Sequence, residues 1–300
     1  MHEEWKIAGK VVVITGATAG IGLAAARELA RRGAIVIGVG RSEARIAKAE
    51  KAIREAVPGA RLAFECADLS SLKSLRGITE RIGERLEEEA DGALHILINN
   101  AGTFASWYTL TTDGFELQWA VNHLAPFYLT HAFLPYLCRA GEARIINVTS
   151  GSHRWARIHW ADVGLRRCYH GLYAYKQSKL ANLLSTFELE RRLKKAGEKI
   201  GVYAADPGLV NTEIGLKGTS GLVRWFWSQR RLHGAPPEAG AATIVFLACA
   251  PELPEAVYWR NSRPYPASRF ARRRDAARRL WELSERMCGL CSAEYGLYPD

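Results

Sequence analysis

The sequence predicts an α/β protein of one domain: a doubly wound parallel sheet of about seven strands with helices on both faces. Three observations predict it. Short apolar, β-branched runs alternate with amphipathic helical stretches three times within the first hundred residues. A glycine-rich turn follows the first of those runs directly. No internal repeat, low-complexity linker or composition break divides the 300 residues.

The elements follow in order. Lys10 to Ile14 (KVVVI) reads as a buried strand, and the helix after its turn runs to about Arg32, where Gly33 ends it. Ala34 to Val39 is the second strand. Ser42 caps a helix to about Ala56, stopped by Pro58-Gly59. Arg61 to Cys66 is the third strand, and Ser70 or Ser71 opens a charged helix to about Glu89. Leu94 to Ile98 makes a fourth strand. A helix from about Gly114 to Ala140 is expected to bend near Pro126. Arg144 to Val148 is a fifth strand and Ile200 to Ala204 a sixth, with a helix ending near Ala196 between them. Pro236 opens a last helix within the sheet region, and Val257 to Trp259 is placed to close the sheet.

Composition narrows the function classes. Apolar residues make up 48% and charged residues 24%, as in soluble globular proteins. No apolar run reaches the length of a membrane span, and MHEEWKIAGK lacks a signal-peptide core, so a cytoplasmic protein is expected. The 6 cysteines read as reduced thiols, and the lone C-x-x-C of Cys288 and Cys291 has no second pair to complete a zinc site; no metal is expected. Net charge is +10, concentrated in an arginine-rich extension over 260–300. A solvated helix is favoured there over an anionic partner or membrane surface; no nucleic acid is expected.

Three features carry chemistry. The turn Gly16-Ala17-Thr18-Ala19-Gly20-Ile21-Gly22 lets backbone approach a pyrophosphate at a helix N-terminus, the device of Rossmann-type nucleotide sites. At the end of strand two, Gly40-Arg41-Ser42 replaces the acid that would accept from the ribose hydroxyls of NAD, and a guanidinium there can grip a 2′-phosphate. NADP(H) is therefore favoured over NAD(H), with a plain surface arginine as the competing account of Arg41. Tyr175 and Lys179 are spaced to share a helix face, and a nearby ammonium favours the phenolate of a tyrosine.

Together the motifs resemble the short-chain dehydrogenases/reductases. Thr15-Gly16 through Gly22, Asn99-Asn100-Ala101-Gly102, Asn122 in V-N-H, Asn147-Val148-Thr149-Ser150, Tyr175-x-x-x-Lys179 and Pro207-Gly208 occur in that family's order, over roughly residues 8 to 250. The retinol dehydrogenase-like branch is nearest, through V-N-H-L-A-P-F at 121 to 127, S-K-L-A-N-L-L at 178 to 184, P-G-L-V-N-T-E-I at 207 to 214 and L-W-E-L-S-E at 280 to 285.

That resemblance implies roles. Tyr175 is the general acid or base, Lys179 lowers its pKa and holds the nicotinamide ribose, and Ser150 bonds the substrate oxygen. Thr149 and Ser152 are neighbouring hydroxyls outside the motif position. Asn122 anchors a relay water. Gly16, Thr18, Ala19, Gly20, Ile21, Gly22, Arg41, Asp68, Leu69, Asn100, Ala101 and Gly102 line the cofactor, with Tyr175 and Lys179. Pro207, Gly208, Val210 and Thr212 hold its nicotinamide end. The branch usually has His before Pro-Gly; this chain has Asp206, on which no catalytic role is placed.

The resemblance implies an oxidoreductase moving hydride between NADP(H) and an apolar alcohol or carbonyl substrate, retinoid-, steroid- or polyketide-like. A catalytically silent nucleotide-binding regulator of the same fold is the alternative. The aromatic-rich segments 152–172 and 211–233 are expected to be a substrate-side insertion and a lid. Peripheral membrane contact and homo-oligomer formation both remain compatible with their exposed aromatics.

Overall fold

The computed structural model describes residues 5–210 and 235–290. Thr212, the 211–233 segment and Cys291 lie outside the described residues.

The strands are β1 (Val11–Thr15), β2 (Ile35–Gly40), β3 (Leu62–Cys66), β4 (Ile96–Asn99), β5 (Ala143–Val148), β6 (Ile200–Asp206), β7 (Tyr258–Arg260) and β8 (Arg263–Pro264). They form one sheet in the order β3-β2-β1-β4-β5-β6-β7-β8, parallel throughout except for the last pair. The eighth strand exceeds the expected count because two residues carry no readable alternation. The order reverses between β1 and β4, which opens a crevice at the carboxyl ends of those strands.

The helices are α1 (Gly20–Arg31), α2 (Glu43–Ala56), α3 (Leu72–Ala90), α4 (Leu117–Trp119), α5 (Ala125–Arg139), α6 (Gly171–Ala196), α7 (Pro237–Cys249) and α8 (Arg274–Cys288). Two apolar layers explain why the strands are buried on both sides. One packs α3, α5, α6 and α8 against the sheet through Ile78, Phe133, Leu180 and Trp281. The other packs α1 and α7 through Leu29 and Ile244.

Just before the expected bend near Pro126 the helix passes through a π turn over Ala120–Leu124, with Asn122 inside it. Pro126 falls in the first turn of α5, where no intrahelical N–H is required. Ser71 caps α3 by accepting from the Ser74 N–H, whereas Ser42 stands at the N-cap of α2 without a side-chain bond.

The arginine-rich end forms α8. Its buried face carries Ala277, Leu280, Trp281, Ser284 and Cys288, and Arg274, Arg278, Arg279 and Arg286 are exposed. Trp281 packs edge-on against Phe127 at 4.8 Å, and the Ser284 hydroxyl meets His123 Nε2 at 2.7 Å. The helix thus braces the π turn from behind. No helix among the described residues is long and apolar enough to cross a membrane.

Candidate active site

Because β1 to β7 are parallel, the segments leaving them all open on one edge of the sheet. The turn after β1 is shaped by exclusion. A Cβ on Gly22 would lie 2.2 Å from the Gly16 carbonyl oxygen, and one on Gly16, whose φ is +69°, would press on Ala101 at 3.0 Å. The α1 N-terminus begins there, and Ala19 supplies no side-chain cap, so its first amides face outward as a pyrophosphate requires. The residues present therefore fit a dinucleotide.

Asn100 acts on that turn from β4. Its side chain donates to the Thr15 carbonyl at 2.8 Å, and the Thr15 hydroxyl accepts from the Asn100 and Ala101 amides at 3.0 Å each. Thr18 lies across the end of β2, where a Cβ on Gly40 would meet it at 2.5 Å. Arg41 follows, exposed. Asp68 is exposed after β3, its carboxylate bonded to Ser70, with Leu69 half-buried beside it. Ile21 and Val210 converge on Gly240 of α7, and Gly102 and Pro207 are half-buried at the same edge. Gly208, at φ +74°, turns the chain after β6.

The proton-handling groups meet between β5 and α6. Ser150 ends β5 as the N-cap of a short 3-10 turn, Gly151–Trp155. Its hydroxyl accepts from Ser152 Oγ at 3.0 Å and acts on the Tyr175 phenol, favouring its ionised form. Phe104 stacks edge-on against the Tyr175 ring at 5.9 Å. Lys179 is buried one turn along, and its ammonium donates to the Val148 carbonyl at 3.0 Å.

Burial dominates the electrostatics of this pair. Burial pushes the Tyr175 phenol up to about 12, the Ser150 hydroxyl lowers it, and the Asp206 carboxylate raises it. The Lys179 ammonium points at Val148 and lies 5.9 Å from the phenol ring centre. Burial drives Lys179 itself down to about 8, against a raising pull from Asp206.

Asn122 is brought to this site, but its side chain serves as a clamp. It accepts from the Thr103 amide at 2.7 Å and donates to the Thr103 carbonyl at 3.0 Å and the Ser178 hydroxyl at 2.9 Å. Thr149 is turned away and donates to the Lys179 carbonyl at 3.3 Å. The sequence reading missed the supporting polar groups: Thr15, Ser178 and the ladder from Asn99 through Asn147 to Thr186. A buried asparagine in each of two adjacent parallel strands was their visible signal. Of the 152–172 segment, Trp155 is 78% exposed, whereas Trp160 packs against the core and under Arg279.

Comparison with known proteins agrees with this geometry. The short chain dehydrogenase family model matches residues 10–220. Retinol dehydrogenase 12 of Mus musculus is 39% identical over 287 residues, covering 95% of this chain and 88% of that protein. Retinol dehydrogenase 11 of Homo sapiens is 38% identical over 287 residues, covering 95% and 87%. The crystal structure of an uncharacterized protein from Mycobacterium paratuberculosis superposes with a TM-score of 0.76 at 33% identity, covering 96% of this chain and 98% of that one. The chain belongs to the short-chain dehydrogenase family, in its retinol dehydrogenase-like branch. It is accordingly an NAD(P)-dependent alcohol dehydrogenase/reductase acting on CH–OH groups.

Proposed function

We propose that this enzyme interconverts an apolar alcohol and its carbonyl form with NADP(H), using Tyr175 as acid or base. The observation that carries the reading is the gathering of Ser150, Tyr175 and the buried Lys179, whose ammonium is held at the end of β5, on the carboxyl edge of the sheet. When bound, the nicotinamide cofactor supplies or accepts the hydride.

The chain's own residues do the rest. In reduction the Tyr175 phenol gives its proton to the carbonyl oxygen, and in oxidation the phenolate takes it back. Ser150 donates to that oxygen as charge develops on it. Lys179, one turn behind, holds the ribose and supplies positive charge as the phenolate forms. The Asn122 side chain is committed to Thr103 and Ser178, so a relay water is held by its main-chain carbonyl, which also accepts from the Asn182 side chain at 3.4 Å. Asn100 and the glycine turn align the pyrophosphate, and Gly102, Asp68, Leu69, Pro207, Gly208 and Val210 border the rest of the cofactor.

NADP(H) is preferred on the β2 edge. Gly40 stands where an acid would be, with Thr18 filling the space of its Cβ, and Arg41 offers a fork for a 2′-phosphate. An apolar substrate is supported by the exposed Trp107 and Trp155 on the loops after β4 and β5, and by likeness to enzymes named for retinol.

The test mixes the protein with NADPH and a panel of lipophilic aldehydes and ketones, retinal included, and follows cofactor oxidation. Turnover is expected, and Tyr175→Phe should lower it about 10²–10⁴-fold with NADPH binding intact. A fully active Tyr175→Phe enzyme would sink the mechanism. Tight NADPH binding without turnover would favour a silent regulator.

A further inference from the structure

Phe104 sits buried in the loop after β4, and its ring meets the Tyr175 ring edge-on at 5.9 Å. The backbone on either side of Phe104 is gripped. On one side Asn122 holds Thr103 and donates to Ser178, whose own hydroxyl donates to the Tyr175 carbonyl at 2.9 Å. On the other side stands Gln118 of α4. Its Nε2 donates to the Ala105 carbonyl at 3.1 Å and to the carbonyl of Gly171, the first residue of α6, at 3.0 Å. Asn122 and Gln118 are thus two rungs between the β4 loop and α6, and the Phe104–Tyr175 contact lies between them.

The Gln118 rung is closely fitted. The residue is fully buried. A Cβ on Gly171 would lie 2.3 Å from the Ala105 carbonyl oxygen and 2.9 Å from Ser106 Cα, so loop and helix meet this closely only because residue 171 is glycine. Both carbonyls can only accept, which assigns the amide nitrogen of Gln118 to their side. The Tyr169 hydroxyl joins from the 152–172 segment, 2.8 Å from Gln118 Nε2 and 3.0 Å from both the Ala105 carbonyl and Glu116 Oε1. Two amide protons and one phenol proton therefore serve four oxygens, and loss of any donor leaves a buried acceptor unpaired. Gln118 Oε1 meets no donor among the described residues, so this side chain acts through its nitrogen.

We propose that Gln118 is a positioning residue for Tyr175: with Asn122 it fixes the β4 loop against α6 and so seats the Phe104 ring on the phenol. The proposal rests on the acid–base reading of Tyr175 given above. With Thr103 and Ala105 both bonded, the Phe104 ring has one place to sit. Release of Ala105 leaves the ring held from Thr103 alone and unties the start of α6, one turn before Tyr175. A displacement of about 1 Å at a reacting group can cost up to about 10²-fold in rate. None of the Gln118 partners lies in the glycine turn or at the end of β2, so cofactor binding should change little.

The test is Gln118→Leu, which keeps similar bulk and removes both donors. Aldehyde reduction is measured per NADPH-binding site, the sites being counted by calorimetry. The Tyr175 ring signal is read by NMR of isotopically labelled tyrosine and assigned from Tyr175→Phe. The kcat per site should fall about tenfold, the NADPH dissociation constant and the aldehyde KM should stay within about twofold, and the Tyr175 signal should move. A role in folding alone would reduce the number of binding sites and leave both kcat per site and the Tyr175 signal unchanged; that result would overturn the proposal. Tyr169→Phe strips one donor from the same cluster and replaces Gln118→Leu should that variant not fold. Its kcat per site should fall about threefold with the Tyr175 signal again displaced, and no change in either overturns the proposal. If wild type reduces no carbonyl, the functional reading fails and the Tyr175 signal alone decides the role of Gln118.

Discussion

The Asn100 side-chain amide donates to the Thr15 carbonyl at 2.8 Å, stitching the end of β4 to the turn that leaves β1. The same nitrogen sits 2.4 Å from the place a Gly22 Cβ would occupy, so the amide fills the space that glycine leaves. The pyrophosphate cradle is therefore pre-formed by a neighbouring strand. Asn100→Ala should weaken NADPH binding about tenfold, a loss of about 1.4 kcal/mol, as measured by calorimetry. Thermal unfolding should change little, because Asn100 is half-buried at the edge of the core.

Arg41 should discriminate between cofactors. It is exposed after β2 with Gly40 before it, so its guanidinium is the charge next to that strand end. Arg41→Ala is expected to raise the NADPH dissociation constant about tenfold or more and to leave that for NADH within about twofold. Equal weakening of both would assign Arg41 to the surface.

Acid should unfold the protein through two buried histidines. Burial lowers His123 to about 3 and His131 to about 4, against an ordinary value near 6.5 in the unfolded chain. Below about pH 6.5 the unfolded state binds protons that the fold refuses, so stability falls on acidification and is fully restored above that pH. At about pH 5 each histidine should cost about 2 kcal/mol. Urea midpoints at about pH 5 and 7 should therefore converge in His131→Leu relative to wild type.

The fold was legible because β1, β2, β4 and β5 are buried on both faces and thus written as near-continuous apolar runs. Strand β8, two residues paired by local geometry, leaves no such trace. Pro126 was a visible breaker in this helix, whereas the π turn before it was not, since an inserted residue in a helix has no composition of its own. Within the site, residue types and spacing located Ser150, Tyr175 and Lys179. They could not locate the Lys179 ammonium, which Val148 holds through a carbonyl that every residue possesses. Nor could they show the surroundings of Asp206, since Tyr258 reaches it across 52 residues of chain.

The hydroxyls around Tyr175 should separate cleanly in their effects. Thr149 Oγ is spent on the Lys179 carbonyl, and Ser152 Oγ lies 3.0 Å from Ser150 Oγ without a bond to the phenol of its own. Ser150 is the neighbouring hydroxyl that acts on Tyr175, favouring its ionised form. Ser150→Ala removes both that influence and a donor to the substrate oxygen, so kcat should drop about 10²–10³-fold. Ser152→Ala loses only a donor to Ser150 and should cost less than about tenfold. The residual rate of Ser150→Ala should fall again when Ser152→Ala is added, because Ser152 is the nearest hydroxyl left to reach the oxygen. Steady-state kinetics of the two single variants and the double variant, with NADPH binding measured in parallel, check this ordering; equal losses in the two single variants would place the donor at Ser152 as much as at Ser150.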